Sequence, residues 1–540
     1  MKNAGNRETV RDRFLHWASV QPDKPFLQCG GDCVTYGEMA DASDRVAGGL
    51  QRLGVAKGQQ IAFVLPNRIE FATLFLACAR LGVLQVPLNP FLRGEFLRYQ
   101  LADSEAATIV TDALGLEQVR PLAQRLPGLR QIVVVGELPV GSDSGIPGVD
   151  LLGYSSIDRP GPSPTYPELA PGDLCSIMYT SGTTGMPKGC MMSNGYYLTI
   201  ARELITAEWI EHSDVLFTAY QLFHTSGQIY GVTTALNAGA SLVLEPEFSA
   251  SRYMARVRET GATVLYGAGA MALALLAQPP HPSDSDNRLR LAMWLPMTAD
   301  KQLEFEGRFG TRVTAEIYGQ TEALIPAISA LSDERRPGTA GRVTPYFDVR
   351  LVDDDDEDVP IGEVGEITVR PRGTNGMFGG YWRKPDATAE AWRNLWHHTG
   401  DCGRLDADGY LTFVDRKKDA LRRRGENVAS VELERAILAH PEIGAVAVHA
   451  VPSELSEDEI KACLVPAGGA ELKPAELFEF FKRNLPYYAV PRYVEIVDEL
   501  PTNVMGRVQK FKLVERGITE RTWDFEALGH AIERNKRRTS

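Results

Sequence analysis

The chain has 540 residues, of which 44% are hydrophobic and 24% charged, and its formal net charge is -13. The length allows more than one domain and a large buried core, and the composition is ordinary for a globular protein. The acidic balance argues against a nucleic-acid partner, because nucleic acids are bound by positively charged surfaces.

The sequence carries no membrane or export signal that we recognise. The N-terminal stretch MKNAGNRETVRDRFLHW lacks the apolar run of a signal peptide. The most apolar stretch, residues 71–88, is interrupted by Arg80, Gly82, Gln85 and Pro87, which predicts a buried helix running into a strand. The seven cysteines show no zinc or disulfide spacing. We expect a cytoplasmic protein without a membrane partner.

Short apolar segments alternate with helical stretches over the first 340 residues. Strands are predicted at 59–66, 106–111, 129–136 and 240–246. This alternation is typical of α/β layers with largely parallel sheets. From about Thr344 hairpin-like strands follow, and after the charged stretch 415–430 comes the pattern of a small separate domain. We predict a large N-terminal α/β domain of layered sheets and helices over residues 1–417 and a small mobile α+β domain over 418–540.

Residues 179–189 read YTSGTTGMPKG. Glycines let backbone amides approach an anion closely, the hydroxyls of Ser181, Thr183 and Thr184 donate hydrogen bonds, and Lys188 adds charge. The composition also fits a surface linker. The loop, however, follows the apolar strand LCSIMY, where α/β proteins display ligands. A polyphosphate site is therefore favoured, although the Walker A spacing is absent.

Four further elements follow that loop in a familiar order. They are IYGQTE (317–322), HTGD (398–401), VDRKKD (414–419) and PTNVMGRVQK (501–510). Together with the loop they resemble, over nearly the whole chain, the adenylate-forming superfamily of acyl-CoA synthetases, luciferase-like enzymes and peptide-synthetase adenylation domains. The segment RRRGENVASVELE (422–434) is similar to the carnitine/crotonobetaine CoA ligase branch and related small-acid ligases.

The resemblance implies an enzyme that uses ATP to activate a small or aromatic acid as an acyl-adenylate, releases pyrophosphate, and transfers the acyl group to CoA. Both reactants are anions, so the site must neutralise charge. The residues it implies as catalytic are Lys188, Thr321, Glu322, His224, Arg507 and Lys510. Glu322 is the implied ligand of Mg²⁺, and Thr321 would donate to the α-phosphate.

The resemblance also implies a set of nucleotide-binding and CoA-binding residues. Tyr318 would lie against adenine, Asp401 would accept hydrogen bonds from the ribose hydroxyls, and Arg416 would help to hold the ribose. Gly425 would let the pantetheine thiol approach, and Lys418 would be the hinge of the small domain. The other implied ATP contacts are Thr180, Ser181, Gly182, Thr183, Thr184, Gly185, Gly319 and Gln320.

The chain departs from the superfamily at its usual catalytic lysine. Gly506 is followed by Arg507, and Lys510 comes three residues later. Arginine keeps the positive charge but presents a planar fork. Either Arg507 bridges carboxylate and phosphate, or the loop shifts so that Lys510 does.

Further departures concern the substrate pocket. MWLPM (293–297) stands where relatives have Gly-Gly-Ala-Pro, so Trp294, Leu295 and Pro296 would fill the groove; a tryptophan buries about 200 Å². Gly267 and Gly269 replace proline and would reopen the opposite wall. The predicted acid is therefore short or flat. Two polar groups complete the predicted pocket: Asn194, which replaces a histidine, and His224, which orients the carboxylate, gates the pocket, or simply packs in the core.

Three alternative functions stay open from the sequence. The acceptor could be a carrier-protein pantetheine instead of CoA. The enzyme could be a biosynthetic member such as an ATP-dependent diazotase, which activates nitrite for an arylamine. A degenerate nucleotide sensor or scaffold is the third, but the intact Lys188, Glu322 and Asp401 argue against it. A monomer or homodimer is expected.

Overall fold

The computed structural model describes residues 8–138, 143–180, 186–353, 355–416, 420–423, 426–452, 458–501, 508 and 510–530. The chain forms two compact units. The first comprises Met1–Pro90, Ala102–Tyr179 and Gly189–Asp415, and the second comprises Phe91–Leu101, Thr180–Lys188 and Arg416–Ser540. The predicted boundary at Lys418 lies outside the described residues and stays a prediction.

The helices alternate with strands along the first unit, as the sequence predicted. The α-helices are α1 (Val10–Val20), α2 (Tyr36–Arg52), α3 (Ile69–Leu81), α4 (Gly94–Ser104), α5 (Ala113–Ala123), α6 (Asn194–Thr206), α7 (Thr234–Ala238), α8 (Ala250–Thr260), α9 (Gly269–Leu276), α10 (Ala299–Phe309), α11 (Pro385–Ala391), α12 (Ser430–Ile437), α13 (Pro474–Asn484) and α14 (Lys510–Arg516). A π-helix spans Ser226–Thr233.

The strands of the first unit fall into two large sheets and two smaller ones. They are β1 (Pro25–Cys29), β2 (Asp32–Thr35), β3 (Gln60–Val64), β4 (Leu84–Pro87), β5 (Thr108–Asp112), β6 (Gln131–Val135), β7 (Asp150–Gly153), β8 (Leu174–Thr180), β9 (Lys188–Ser193), β10 (Val215–Thr218), β11 (Ser241–Leu244), β12 (Val264–Ala268), β13 (Leu291–Leu295), β14 (Arg312–Thr314), β15 (Ile317–Gln320), β16 (Ala323–Ile328), β17 (Arg342–Val343), β18 (Phe347–Val352), β19 (Val364–Pro371), β20 (His397–Leu405) and β21 (Leu411–Arg416).

Two seven-stranded sheets dominate the first unit, in the orders β14-β13-β12-β10-β11-β1-β2 and β7-β6-β5-β3-β4-β8-β9. Their inner strands are parallel and mostly apolar, as expected for strands covered on both faces. Helix α3 packs against β1 of one sheet and β4 of the other, and every residue of 71–81 is buried. The helix-into-strand prediction for residues 71–88 is thus confirmed.

Local sequence signals set the helix boundaries in this unit. Thr9 and Asp12 form a capping box at α1, and Thr35 and Glu38 form one at α2. Helix α3 ends at Gly82, which adopts φ 67°. The strands around the acidic turn, β18 and β19, pair antiparallel, which confirms the predicted hairpin.

The second unit holds a small sheet with helices, as predicted. Its later strands are β22 (Ala420–Arg423), β23 (Glu426–Ala429), β24 (Ile443–Pro452), β25 (Asp458–Pro466), β26 (Tyr493–Ile496) and β27 (Thr522–Asp524). The last four form one sheet in chain order. Within the described residues, no helix is both long enough and apolar enough to cross a bilayer. The predicted α/β fold with a smaller C-terminal α+β domain is confirmed.

Candidate active site

The IYGQTE segment forms a hairpin that carries two predicted catalytic residues at its turn. Strands β15 and β16 pair antiparallel, with Gln320 opposite Ala323. Thr321 and Glu322 therefore occupy the turn, and Gly319 lies on β15. A connection this short fixes the register of the flanking strands, so both turn residues are held in place by the backbone.

Helix α6 fixes this turn through Tyr196. Its hydroxyl donates to the carbonyl oxygen of Thr321 at 3.1 Å and accepts the backbone N–H of Leu324 at 2.7 Å. Tyr196 is fully buried, where an unmade hydrogen bond is costly, so this tyrosine stabilises the turn. The sequence analysis missed Tyr196, because a tyrosine in a helix gives no local sign of a hydrogen bond to a distant turn.

Glu322 is held by a second tyrosine. Tyr381 Oη donates to Glu322 Oε1 at 2.9 Å, and the backbone N–H of Phe378 donates to the Glu322 carbonyl at 3.0 Å. Burial, and next the Glu322 charge, raise the pKa of Tyr381, which keeps it a proton donor. Among the described residues no hydrogen bond reaches Glu322 Oε2, so that oxygen suits a cation.

Asp401 of the HTGD segment is joined to the same hairpin. Tyr318 Oη donates to Asp401 Oδ2 at 2.8 Å, and Gln320 Nε2 lies 3.4 Å from the same oxygen. Burial, followed by the Asp401 charge, raises the pKa of Tyr318. Gln320 Nε2 also donates to the carbonyl of Thr399 at 3.1 Å. The structure thus brings Tyr318, Gln320 and Asp401 together, as the resemblance implied.

His397 is a further polar residue of this cluster that the sequence analysis missed. Its Nε2 lies 3.3 Å from Gln320 Oε1, and its ring packs against Phe378 and Trp392 with centroids 5.3 and 5.9 Å apart. Burial lowers the pKa of His397 to about 3, so the ring is neutral near pH 7. Its position directly before HTGD is the signal that could have identified it.

The phosphate loop and the C-terminal motifs are described only in part. Thr180 ends β8 and Lys188 begins β9, and Thr180 Oγ1 lies 3.4 Å from the Lys188 carbonyl. Arg416 ends β21. The predicted residues Ser181, Gly182, Thr183, Thr184, Gly185, Lys418, Gly425 and Arg507 lie outside the described residues.

Lys510, the other candidate for the catalytic lysine, begins α14. Its Nζ donates to Ser430 Oγ at 2.6 Å and forms an ion pair with Glu434 Oε1 at 2.6 Å. Both side chains of the ion pair are mostly buried, at 18% and 17% exposure. In this structure Lys510 therefore ties α14 to α12.

Trp294 lies in the interior of the first unit. Its side chain has no exposed surface and packs against Phe305, with ring centroids 5.5 Å apart. A Cβ at Gly267 would lie 2.5 Å from the Trp294 ring, and a Cβ at Gly269 would lie 1.8 Å from the Pro296 carbonyl oxygen. Both glycines therefore let neighbouring groups approach closely, and the pocket roles of Trp294, Gly267 and Gly269 stay predictions.

The side chains of β13 are divided between the two faces of its sheet. Successive side chains on a strand point to opposite faces, so Trp294 and its neighbours Met293 and Leu295 cannot share one wall. Met293 and Leu295 pack with the main core cluster, and Met293 lies opposite Tyr266 of β12.

The Asn194 side chain is hydrogen-bonded to backbone groups at both ends, and its place in the substrate pocket stays a prediction. Its side-chain oxygen accepts the N–H of Val10 at 3.2 Å, and its amide donates to the carbonyl of Asp173 at 2.9 Å. Asn194 is 1% exposed, and both ends of the amide are used to join α1 and α6 to the β8 segment. A motif comparison shows the residue change but not the direction of the side chain.

His224 stands just before the π-helix. Its ring packs against Phe223, with centroids 4.5 Å apart, and its carbonyl accepts the N–H of Gln228 at 3.1 Å. π-Helical turns occur often at functional sites. The role of His224 stays a prediction.

The fold and this hydrogen-bonded hairpin define the class of protein. Residues 14–382 match the family "AMP-binding enzyme", and residues 432–507 match "AMP-binding enzyme C-terminal domain". The chain belongs to the AMP-binding enzyme family.

The relatives narrow the class. The crotonobetaine/carnitine–CoA ligase of Salmonella paratyphi A is 33% identical over 524 residues, covering 94% of this chain and 99% of that protein. The anthranilate CoA ligase AuaEII, solved with anthranoyl-AMP, is 26% identical with TM-score 0.71, covering 95% of this chain and 97% of its own. ATP-bound MatB from Rhodopseudomonas palustris is 27% identical with TM-score 0.66, covering 94% and 99%. These likenesses confirm the predicted enzyme class, an AMP-forming acid–CoA ligase that uses ATP and CoA.

Proposed function

We propose that this protein uses ATP and Mg²⁺ to convert a small carboxylic acid to its acyl-adenylate, and then transfers the acyl group to CoA. The observation that carries the proposal is the hairpin with its two tyrosine-held carboxylates, Glu322 bonded to Tyr381 and Asp401 bonded to Tyr318. The named relatives favour CoA as the acceptor over a carrier-protein pantetheine or an arylamine.

Asp401 and its partners are suited to hold the ribose. A carboxylate accepts hydrogen bonds from neighbouring hydroxyls, and the bonds from Tyr318 and Gln320 fix its orientation before the nucleotide arrives. Such preorganisation spares the site a reorganisation cost during the reaction. Tyr318 thereby acts as a positioning residue, besides any contact that its ring makes with adenine.

Glu322 and Lys188 are proposed to neutralise the phosphates. Mg²⁺ is bound in such sites by one or two carboxylates together with substrate phosphate oxygens. The described residues contain no group of three or more metal-ligating side chains, so Glu322 would supply the protein's share. When bound, the ion would withdraw charge from the phosphate oxygens, while Thr321 donates to the α-phosphate.

We propose that Arg507 is the residue of the C-terminal motif that supplies a positive charge for adenylation. Lys510 is already paired with Glu434 and Ser430, and breaking a mostly buried pair is costly. Arg507→Ala should lower acid-dependent pyrophosphate release by about 10²–10³-fold, whereas Lys510→Met should mainly lower thermal stability. Equal and mild losses of activity in both variants would show that neither residue carries this role.

The acid is proposed to be small. Two of the relatives named above act by their names on compact acids, crotonobetaine or carnitine in one case and anthranilate in the other. Rotation about Lys418 would then bring the Gly425 loop to the adenylate for thioester formation. A cytoplasmic location and a monomeric or homodimeric state stay predictions of the sequence.

A panel of acids tests the proposal directly. Pyrophosphate release is measured with ATP and Mg²⁺, with and without CoA, and the CoA product is weighed by mass spectrometry. We expect acid-dependent release and a CoA thioester of matching mass. Release that requires nitrite and an arylamine, with no thioester from any acid, would overturn the choice of acceptor.

A further inference from the structure

Strand β20 bulges out of its ladder at the segment that ends in Asp401. The register of its pairing with β19 shifts at this point, and the pairs on either side of the shift are Glu366 with Cys402 and Thr368 with His398. Residues 399–401 of β20 therefore stand opposite Ile367 alone. A bulge bends its strand and re-aims the side chains that it carries. The direction of the Asp401 carboxylate thus depends on how this bulge is held.

Two hydrogen bonds to β19 close the bulge. The Thr399 hydroxyl donates to the Ile367 carbonyl at 2.7 Å, and the N–H of Gly400 donates to Glu366 Oε1 at 3.2 Å. Gly400 adopts φ 72°, in the left-handed region that favours glycine. Glu366 is thus the side chain that fixes the residue with the most unusual backbone in the bulge, directly before Asp401.

Glu366 is itself held through its other oxygen. The Glu366 and His398 side chains are only 4% and 5% exposed, and Glu366 Oε2 lies 3.3 Å from His398 Nδ1. Arg393 Nη2 lies 3.6 Å from the same oxygen and 2.8 Å from His398 Nδ1. Because a guanidinium only donates, Arg393 bridges the two buried groups. Rotation of the Glu366 carboxylate would break contacts at both oxygens, which is costly for a buried group.

Asp401 is therefore fixed from two sides. Tyr318 of β15 donates to its side-chain oxygen Oδ2, while Glu366 of β19 holds the backbone that precedes it. A small misplacement of a binding group weakens the interactions that depend on its direction. A loss of the hold at Gly400 is thus expected to alter what Asp401 binds.

We infer that Glu366 is a positioning residue for nucleotide recognition: by holding Gly400, it directs the Asp401 carboxylate toward the ribose hydroxyls. The inference rests on the proposed function, because ribose binding by Asp401 is part of that function. Glu366 acts through the backbone of the bulge and has no role at the reacting atoms.

A comparison of ATP with 2′-deoxy-ATP tests this inference, because the second nucleotide lacks one of the two ribose hydroxyls. The kcat and KM of the full-length protein are measured for each nucleotide by pyrophosphate release at saturating acid. Binding of AMP and 2′-deoxy-AMP is measured in parallel by calorimetry. We expect the wild type to prefer ATP by at least about tenfold in kcat/KM, since a hydrogen bond to a charged carboxylate is lost with 2′-deoxy-ATP.

Variants assign this preference to Glu366. Glu366→Ala should reduce it to below about threefold, by raising the KM for ATP with little change in kcat. Glu366→Gln keeps an oxygen that can accept the Gly400 N–H and should keep most of the preference. Glu363→Gln, just before β19, and Glu259→Gln on α8 change exposed carboxylates and should leave it unchanged.

A purely structural role of Glu366 predicts a different result. An equal loss for ATP and 2′-deoxy-ATP in Glu366→Ala, or an unchanged preference, would overturn the inference. If Glu366→Ala does not fold, Arg393→Met decides: it changes a side chain that is 56% exposed and removes one support of Glu366. We expect about a threefold smaller preference for ATP in Arg393→Met, and an unchanged preference would overturn the inference.

The two proposals fail separately. Equal use of ATP and 2′-deoxy-ATP by the wild type, with acid-dependent pyrophosphate release, would leave the ligase function intact and remove the role of Glu366. A preference for AMP over 2′-deoxy-AMP that is lost in Glu366→Ala, without pyrophosphate release from any acid, would support the role of Glu366 and contradict the proposed reaction.

Discussion

Glu322, in the turn beside helix α6, and Glu203, within that helix, are both buried, yet their surroundings are opposite. Glu322 accepts a hydrogen bond from Tyr381 and its backbone is fixed by Phe378, whereas neither carboxylate oxygen of Glu203 has a described partner. A partnered carboxylate is oriented by its hydrogen-bond donor, whereas an unpartnered one raises the energy of the folded protein. The same residue type is therefore held in place at one position and destabilising at the other.

The largest expected effect is at the partnered carboxylate. Glu322→Ala should lower kcat/KM for acid-dependent pyrophosphate release by about 10²–10³-fold, since it removes a preorganised charge at the phosphates. Glu259→Ala serves as the matched control and should keep wild-type activity. Wild-type pyrophosphate release by Glu322→Ala at saturating Mg²⁺ would contradict its assignment as the metal ligand.

Replacing the unpartnered carboxylate of Glu203 should stabilise the folded protein. Glu203→Met should raise the free energy of unfolding by about 1–3 kcal/mol near neutral pH, because it removes a buried group with no hydrogen bond. Chemical denaturation of ligand-free protein measures the change. A loss of stability in Glu203→Met would show that Glu203 has a protein partner after all.

This stability change should depend on pH with a defined sign. Burial raises the pKa of Glu203 well above its ordinary 4.5. The folded state therefore holds the proton more tightly than the unfolded state, and this contribution to stability is present below the unfolded pKa and lost as pH rises through the folded one. The gain in the free energy of unfolding from Glu203→Met should accordingly be larger at pH 8 than at pH 5.

Tyr318 should show a smaller effect that concerns nucleotide binding. Tyr318→Phe removes the 2.8 Å hydrogen bond to Asp401 Oδ2 and should raise the KM for ATP by about fivefold with little change in kcat, because one positioning bond is worth about 1 kcal/mol. Steady-state kinetics at saturating acid separate the two constants. An unchanged KM for ATP would contradict the proposed preorganisation of Asp401.

Replacing His397 should have the smallest effect, a change in thermal stability at low pH only. Its pKa of about 3 lies below the ordinary 6.5, so its contribution to stability is present above pH 6.5 and is lost as pH falls toward the folded pKa. His397→Phe should therefore flatten the decline in melting temperature between about pH 6.5 and 4. A titration of His397 near pH 6.5 in NMR spectra would refute this.

Much of the fold could be predicted from the sequence because each element carries a local signal. The run from Gln60 to Val64 is apolar enough to require cover on both faces, and the Thr9 and Thr35 caps fix helix starts without tertiary contacts. The hairpin at Gln320–Ala323 follows from the motif. These features depend on neighbouring residues, which a sequence displays directly.

The surroundings of the predicted pocket residues could not be read from the sequence, because they depend on strand register and on distant contacts. Alternation along β13 turns the Trp294 ring toward Phe305. The partners of Asn194, Val10 and Asp173, are distant from it in sequence. Tyr196 and Tyr381 were missed because they support the site by hydrogen bonds made across the fold.

The most direct test of the central claim is the identity of the nucleotide product. The protein is incubated with ATP, Mg²⁺, CoA and a short acid that it accepts, and the products are separated by chromatography. We predict AMP, pyrophosphate and acyl-CoA in equal amounts, with AMP formation dependent on the acid. Formation of ADP and inorganic phosphate, or of AMP at the same rate without any acid, would contradict the account.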